Sequence, residues 1–383
     1  MKITMVGSLP PIKGMSAYCL QQVQALSRLV EIDFINFKSI YPPIFYPIAP
    51  KEEDRVFKAR LNGSVKVADR LRWYNPIGSC LAGWQARTQI VHFHWWTSFL
   101  FVVFYPLTRF AKLRGRKIVC TVHNVLGHES NLFDRWLCRT MLAVPDKFIV
   151  HSEKNREQLI DVFKVDAQDI EVIPHGSYDF YKEDKVDQNE ARKVLGLEAT
   201  DPMILFFGHV RDYKGVDTLL QAMALVRDEI PRVKCVLAGK NWVPWEPYQA
   251  IIEKLGLHQV VQADLEYVPS SKVQYLYSAA DVVVLPYRHF DSQSGPGNIA
   301  LGFNKPLVVS NVGGLPDLVR DKNAVFEPGD VDGLAKALLR ILTEPAYKKK
   351  LSNDSAELAK KYSWDDIARK TVDLYQKILT SNH

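Results

Sequence analysis

Residues 203–215 read MILFFGHVRDYKG, and this stretch decides the class of fold. An apolar run, typical of a strand buried on both faces of a parallel sheet, ends at Gly208, and a helix is predicted from Val216. Arg211 and Lys214 lie in the short loop between them. Two cations and a helix N-terminus at the carboxyl end of a strand suit a diphosphate, although a solvated loop with two ordinary surface cations is the alternative.

The same alternation of short strand and helix runs through the rest of the chain. The predicted strands are 2–6, 31–36, 89–93, 117–122, 147–150, 170–173, 203–207, 233–238, 259–262, 282–285, 306–310 and 324–326. A charged segment at 181–190 interrupts the pattern. We therefore expect an α/β protein of two doubly wound, Rossmann-like domains, residues 1–183 and 184–363, that face a central cleft. The tail at 345–381 is predicted to be helical, and no strand follows it.

Composition excludes several classes of protein. The 383 residues are 47% hydrophobic and 24% charged, with 20 Gly and 21 Pro, so disordered and collagen-like chains are excluded. The five cysteines form no CxxC pair, which disfavours a zinc knuckle or a disulfide framework and favours free thiols in a reducing cytoplasm. The most apolar run, 95–107, is shorter than the roughly 20 residues of a spanning helix. No signal peptide is predicted, and we expect a cytoplasmic protein.

The positive charge is concentrated in the first third of the chain. Residues 1–120 carry 17 basic and 6 acidic residues, whereas the remaining residues carry 32 and 37. A basic surface there would meet an anionic membrane, a phosphorylated substrate or nucleic acid. Between 95 and 117, aromatic residues lie beside five cations, which is typical of an interfacial membrane patch. An internal helix followed by a basic turn is the alternative.

A second loop of the phosphate-binding kind follows the predicted strand at 282–285. It contains Asp291, Gln293, Ser294 and Gly295, and a helix is predicted to begin around 296–298. Small residues let the backbone approach an anion, and the helix offers its N–H groups. Asp291 is placed to accept hydrogen bonds from sugar hydroxyls. The alternative is a turn capped by Ser294.

The opening loop, GSLPPIKGMSAY at 7–18, joins the first strand to a helix and contains Lys13 and Gly14. It is a candidate anion or sugar contact. The chain lacks both GxGxxG and GxxxxGK[ST], so a dinucleotide fingerprint and a P-loop are excluded.

Histidines end several predicted strands of the first domain: His92 and His94 in HFHWW, His123 in TVHN, His151 in IVHS and His175 in IPHG. For a single histidine a structural role is the usual expectation. His123 is the strongest functional candidate, because a glycine-containing loop follows it. His92 and His94 share one face of a strand, but no carboxylate lies near them, so a metal site is not required.

Taken together, these motifs resemble the GT-B-fold glycosyltransferases of the family 4 type, which transfer sugars from nucleotide-sugar donors with retention. The resemblance covers nearly the whole chain. It is carried by the PPxxG opening loop, TVHN at 121–124, IVHS at 149–152, VIPHG at 172–176, FFGHVRDYKGVDTLL at 206–220, and the run from LPY at 285–287 through SQSG to NKPLVVSNVGGLPDLV at 304–319.

The resemblance implies roles for individual residues. Arg211 and Lys214 would clamp the donor diphosphate, and Ser294 and Gly295 would bind its distal phosphate through backbone N–H groups. The remaining donor contacts would be Gly208, Tyr267, Val268, Gln293 and Asn298, with His123 and Asp291 at the sugar. Lys13, Gly14, His94 and Trp95 would lie on the acceptor side. A C-terminal helix at 364–383 would cross back onto the first domain.

One departure from the family pattern is important. The family usually carries two Glu separated by seven residues in the second loop, and these positions hold Asp291 and Ile299 here. The second carboxylate usually binds the nucleotide ribose, so the ribose contact must differ, with Asn298 as a candidate.

The implied function is retaining, metal-independent sugar transfer in polysaccharide or cell-envelope glycan synthesis. The co-substrate would be a UDP- or GDP-linked sugar, with no other cofactor. The acceptor would be a saccharide such as a polyprenyl-diphosphate-linked one, at the inner face of the plasma membrane. A nucleotide-sugar 2-epimerase and a catalytically silent accessory protein remain alternatives. Nucleic-acid binding is disfavoured, because the aromatic residues cluster with aliphatic ones.

Overall fold

The structure is a computed structural model that describes residues 1–10, 15–42, 61–125, 132–182, 184–290 and 294–380. The chain divides into two compact units. Unit 1 comprises Met1–Gly176 with Tyr362–His383, and unit 2 comprises Ser177–Lys361. The division falls after Gly176, somewhat before the boundary after residue 183 that the charged segment suggested. All five cysteines are free.

Unit 1 is built on a seven-stranded sheet. Its strands are β1 (Lys2–Gly7), β2 (Glu31–Ser39), β3 (Val65–Arg72), β4 (Ile90–Trp95), β5 (Lys117–Val122), β6 (Lys147–Val150) and β7 (Ile170–Val172). Their order is β3-β2-β1-β4-β5-β6-β7, and every pairing is parallel. The order reverses between β1 and β4, which is the topological switch point where open parallel sheets bind ligands.

Unit 2 repeats this architecture with six strands. They are β8 (Met203–Phe207), β9 (Lys234–Ala238), β10 (Val261–Asp264), β11 (Val282–Leu285), β12 (Leu307–Ser310) and β13 (Val325–Phe326). The order is β10-β9-β8-β11-β12-β13, again parallel throughout, with the switch point between β8 and β11. The two doubly wound α/β sheets confirm the predicted fold class.

Helices connect most of the strands and follow the last strand of unit 2. They are α1 (Ser16–Leu26), α2 (Pro76–Trp84), α3 (Phe101–Leu113), α4 (Leu132–Leu142), α5 (Glu153–Phe163), α6 (Gln188–Val194), α7 (Val216–Glu229), α8 (Glu246–Lys254), α9 (Ser270–Ala279), α10 (Gly295–Gly302), α11 (Val331–Thr343), α12 (Pro345–Lys361) and α13 (Trp364–Thr380).

The sequence pattern did not predict the strand β3 or the helix α6. β3 reads VKVADRLR, and most of its side chains are exposed because it is the edge strand of its sheet. Its charged alternation therefore lacks the apolar run that marks the central strands. α6 begins inside the charged segment, where the side chain of Asp187 caps it by accepting from the N–H groups of Asn189 and Glu190.

The tail forms two helices, and the second completes unit 1. Ile367, Leu374 and Tyr375 of α13 are buried in one core with residues of α1 and β1. Its first residue, Trp364, packs against Gly176, where a Cβ would lie 2.2 Å from the indole ring. The C-terminal helix therefore crosses back to the N-terminal domain, as predicted, whereas α12 stays with unit 2.

Candidate active site

The loop after β8 carries Arg211 and Lys214 to the carboxyl edge of the second sheet. It ends at Gly215, whose φ of 65° is in the left-handed region. A Cβ at Gly215 would lie 1.9 Å from the carbonyl oxygen of Pro286, in the loop after β11. Only glycine permits this approach, which brings Lys214 against the side chains of the β11 loop.

Lys214 is enclosed by aromatic rings. Its Nζ lies 3.6 Å from the ring centroid of Tyr287, 5.2 Å from that of Tyr213 and 5.3 Å from that of Phe290. The side chain is only 7% exposed. Burial, and then the charge of Arg211, lower the pKa of Lys214 well below its usual value. A bound anion would offset both effects, because it would supply an opposite charge to a desolvated ammonium.

Arg211 lies three residues before Lys214 in the same loop. The residue is exposed, and its guanidinium lies 5.2 Å from the ring centroid of Trp242, against which the Nζ of Lys240 also packs at 4.9 Å. Among the residues that the structure describes, neither Arg211 nor Lys214 forms an ion pair. Three cations therefore gather at the ends of β8 and β9. Sequence reasoning missed Lys240, Trp242 and Tyr287, although the position of the first two just after an apolar strand was an available signal.

The N-terminus of α10 lies at the end of the loop after β11. Ser294 caps the helix, since its Oγ accepts from Gly297 N at 3.4 Å and lies 3.2 Å from the hydroxyl of Tyr287. Gly295 is the first residue of the helix. The capping role proposed as the alternative for Ser294 is therefore present. Because Pro296 has no N–H and that of Gly297 is bonded to the cap, Gly295 is the residue at the start of the helix whose N–H an anion would bind. Asp291 and Gln293 lie outside the described residues.

Asn298 is fully buried in α10. Its Nδ2 donates to the carbonyl oxygen of Ser294 at 3.2 Å, and its Oδ1 has no hydrogen-bond partner among the described residues. Ile299, which stands where the family has its second Glu, is 4% exposed and belongs to the buried apolar set. Of the two residues after β10 assigned to the base, Tyr267 is 45% exposed and Val268 is buried. Gly208, at the end of β8, has a φ of 120°.

In unit 1 three histidines at the carboxyl ends of β4, β5 and β6 form a hydrogen-bonded line, which we call the histidine row: His94, His123 and His151. His94 Nδ1 lies 3.2 Å from His123 Nε2, and His123 Nδ1 lies 3.2 Å from His151 Nε2. His151 Nδ1 lies 2.9 Å from the carbonyl oxygen of Ile173. Both ring nitrogens of His123 are thus engaged by other histidines.

Two further histidines and a tyrosine pack around the histidine row. The ring of Tyr18 contacts His94, His123, His151 and His175 at centroid distances of 4.6–5.6 Å. His92 bonds Tyr375 of α13 at 2.5 Å and Thr121 at 2.7 Å. Burial lowers the pKa of His92 and His175 to about 3, that of His151 to about 4, and that of His94 and His123 well below the usual value. Among the described residues, no group of three or more His, Cys, Asp or Glu side chains, this cluster included, is arranged so that it could hold a metal ion.

Of the four residues assigned to the acceptor side, the structure describes Trp95 and His94. Trp95 is 1% exposed and packs in the core beside Phe104, on the face of β4 opposite to His94, so it is a core residue and not a surface contact. Lys13 and Gly14 lie outside the described residues. Of the two described residues, His94 is the one that lies at a strand end with polar neighbours.

The stretch 95–117 divides between the core and the surface. Val103, Phe104, Leu107 and Ala111 of α3 are buried, as an internal helix requires. On the outer side, Ile77, Leu81 and Trp84 of α2 are exposed together with Phe110 and Leu113 of α3; we call these five residues the α2–α3 patch. Trp84 joins the two helices, because it contacts Phe110 and lies under the guanidinium of Arg114.

A second exposed apolar group lies at the start of α4, formed by Leu132, Phe133 and Trp136. Arg135 and Arg139 on the same helix are exposed as well. No helix within the described ranges combines the length and the apolar character that crossing a bilayer requires.

Two family models match this chain. Residues 187–362 match the glycosyl transferases group 1, and residues 12–177 match glycosyltransferase family 4. The chain belongs to these glycosyltransferase families. The resemblance drawn from the sequence motifs is thereby confirmed, and each match falls almost entirely within one of the two units.

Curated relatives are glycosyltransferases by name. An uncharacterized glycosyltransferase of Methanocaldococcus jannaschii is 29% identical over 60% of this chain and 59% of its own length. The D-inositol 3-phosphate glycosyltransferase of Nocardioides sp. is 26% identical over 62% of this chain and 55% of its length. The chain thus covers less than two thirds of these relatives. The protein of that name from Corynebacterium aurimucosum is 23% identical over 94% of this chain and 90% of its length.

Solved structures share the whole fold. Sucrose-phosphate synthase from Thermosynechococcus elongatus superposes with a TM-score of 0.76 at 19% identity, covering 100% of both chains. HepE from Anabaena, solved in complex with UDP and glucose, gives 0.76 at 16% identity over 98% of this chain and 100% of its own. These likenesses establish the fold as GT-B.

Proposed function

We propose that the protein transfers a sugar, with retention, from a UDP- or GDP-linked donor to a saccharide acceptor. The observation that carries the proposal is the pair Arg211 and Lys214, two cations without an acidic partner among the described residues, beside the N-terminus of α10. This arrangement suits the diphosphate of a nucleotide sugar. The bound UDP of the HepE structure supports the same class of donor.

The chemical task of these groups is to stabilise the leaving diphosphate. Negative charge develops on the phosphate oxygen as the bond to the anomeric carbon breaks, and preorganised donors in a dry site lower that barrier. Arg211, Lys214 and the N–H groups at Ser294 and Gly295 supply the positive charge that a divalent metal ion would otherwise provide. Transfer is therefore proposed to be metal-independent, and the acceptor hydroxyl gives its proton to the departing phosphate oxygen.

The proposed acceptor is lipid-linked, for example a polyprenyl-diphosphate saccharide, and the protein is proposed to act at the cytoplasmic face of an anionic membrane. The α2–α3 patch supports this location, because five apolar side chains are exposed beside Arg109 and Arg114. The leading alternative is a catalytically silent donor-binding protein, which the apolar Ile299 favours.

The donor site is tested by nucleotide binding. UDP, GDP and ADP are titrated calorimetrically into the wild type and into Arg211→Ala and Lys214→Ala. Each loss of a charged contact should weaken binding of the preferred diphosphate by about tenfold to a hundredfold. Arg320→Ala is the control, because this exposed arginine is paired with Glu357 in the same unit and should bind normally.

Unchanged affinity in both variants would refute the phosphate assignment. Activity is followed separately by release of the nucleoside diphosphate, with and without acceptor, and the anomeric configuration of the product is read by NMR. Tight binding without any release of diphosphate would favour the silent alternative, and an inverted product would exclude retention.

A further inference from the structure

The proposed diphosphate chemistry leaves the histidine row without a function. Its members His94, His123 and His151 are each at most 3% exposed, and their nitrogens are joined in one line that ends on the carbonyl oxygen of Ile173. Buried polar groups are costly unless hydrogen-bonded, so such a line fixes how its members are protonated.

The carbonyl oxygen gives the line a direction. Because a carbonyl oxygen only accepts, His151 must carry its proton on Nδ1 and donate it to Ile173. The Nε2 of neutral His151 is then an acceptor, so His123 must donate from Nδ1. By the same argument His123 Nε2 accepts from Nδ1 of His94. All three neutral imidazoles are therefore Nδ1–H tautomers, and His94 Nε2 is left with a free lone pair.

The surroundings keep the row neutral. Within the described part of the chain, the titratable side chains that face it are Tyr18, Cys19, His92, His175 and Tyr375, and none of these is a carboxylate. Burial lowers the pKa of every histidine in the row. No anion among these neighbours would stabilise an imidazolium, so the free lone pair of His94 persists at neutral pH.

His94 Nε2 is buried and has no hydrogen-bond partner among the described residues, and the same is true of Ser8 Oγ. The two residues belong to neighbouring strand ends, since Val6 of β1 pairs with Phe93 of β4. A Cβ at Gly7 would lie 3.2 Å from His94 Cδ2, the carbon bonded to Nε2. The open nitrogen is thus on the side of the ring next to β1, at the switch point of the first sheet.

We propose that His94 Nε2 accepts a hydrogen bond from a hydroxyl group of a bound saccharide or polyol, and that His123 and His151 are positioning residues that hold it in the accepting state. A lone pair there repels phosphate and carboxylate oxygens, so the site selects neutral hydroxyl donors. The assignment of this hydroxyl to the sugar acceptor rests on the proposed transferase function. The assignment of the tautomers does not.

The tautomers are measured by NMR on protein with isotope-labelled histidine, through long-range correlations between ring protons and ring nitrogens. His94→Gln assigns the His94 signals by their loss. We expect His94, His123 and His151 as Nδ1–H tautomers in the wild type at neutral pH. Finding His94 protonated on Nε2, or as a cation, would overturn the proposal.

Two variants of His151 separate positioning from packing. His151→Gln keeps an oxygen that accepts from His123 Nδ1, so His94 should remain an Nδ1–H tautomer. His151→Leu removes the acceptor, so His123 should donate toward His94 instead and His94 should become Nε2–H. An unchanged His94 tautomer in a folded His151→Leu protein would contradict the positioning role. If that variant does not fold, the wild type and His151→Gln still decide the direction of the row.

Ligand recognition is tested with methyl α-D-glucopyranoside and myo-inositol as hydroxyl donors and inorganic phosphate as the anion. The two polyols should shift the His94 Nε2 resonance, and phosphate should not. A response to phosphate alone, or to none of the three, would refute hydroxyl binding. In the transfer reaction, His94→Ala should raise the acceptor KM roughly three- to tenfold while donor affinity stays constant. Failure of transfer in the wild type would instead count against the proposed function.

Discussion

At the scale of single residues, the donor site depends on a glycine. Gly215 combines a φ of 65° with a distance of 1.9 Å between a built Cβ and the carbonyl oxygen of Pro286. Any side chain would push apart the two loops that hold Lys214 against Tyr287. Gly215 therefore determines the position of the charged side chain of Lys214.

Gly215→Ala should lower the free energy of unfolding by about 2–4 kcal/mol and weaken nucleoside diphosphate binding. Gly196→Ala is a matched control, since Gly196 has a φ of 71° but no atom within 4 Å of a built Cβ. It should show only the backbone cost of about 1 kcal/mol. Denaturant titration measures both variants. Equal losses of stability would mean that the contact with Pro286 contributes nothing.

Residue types and spacing were enough to predict that Arg211 and Lys214 lie in the loop after a buried strand. They were not enough to predict the aromatic enclosure of Lys214, because Tyr287 lies in the loop after β11 and reaches the lysine only through the pairing of β8 with β11. The engagement of both His123 nitrogens was equally beyond the sequence, since it depends on the register that aligns three strand ends.

At the scale of elements, the outer surfaces of α2 and α3 carry the membrane hypothesis. The sequence pattern placed it on 95–117, but α2 supplies three of the five exposed residues. Helical spacing puts Ile77, Leu81 and Trp84 on one side of α2, and such short segments were indistinguishable from core in the sequence.

Replacing Leu81 and Trp84 together by Ser should release the protein from vesicles of anionic phospholipid, because burying each side chain contributes about 1.5–3 kcal/mol. Leu225→Ser is the control, since Leu225 is an exposed leucine on α7 of unit 2. Co-sedimentation measures the bound fraction. Equal binding by the double variant and the wild type would argue against membrane contact through this patch, and Arg114→Glu then tests the basic residue beside it.

At the scale of the whole molecule, the central strands of the sheets were more predictable from the sequence than the edge strand β3. Apolar runs with turn residues after them identified the central strands of both sheets, whereas the exposed β3 escaped because edge strands lack that signature. The clustering of buried histidines in unit 1 has a consequence for the stability of the protein as a whole.

Acid should destabilise the protein steeply. Burial holds the pKa of His92 and His175 at about 3 and that of His151 at about 4, while the unfolded chain binds protons near pH 6.5. Unfolding therefore takes up protons below about pH 6.5. Stability is complete above that value and falls toward pH 4, by up to about 1.4 kcal/mol per pH unit for each buried histidine.

Urea titrations across this pH range measure the slope of the unfolding free energy. His151→Gln should lower the number of protons taken up on unfolding by about one, and the slope should fall accordingly, whatever the effect of the substitution on stability at neutral pH. A free energy of unfolding that is flat between about pH 6.5 and pH 5 would show that the histidines titrate normally.

The helix α13 also determines the order in which the two units can complete their folding. Unit 1 contains the first residues of the sequence, yet its core includes Ile367, Leu374 and Tyr375, and Tyr375 bonds His92. Domains generally fold as they leave the ribosome, beginning with the N-terminal one. Unit 1 therefore cannot complete its core until unit 2 and α13 have been synthesised. Of the two units, unit 1 is the first whose synthesis begins and the last whose core is completed.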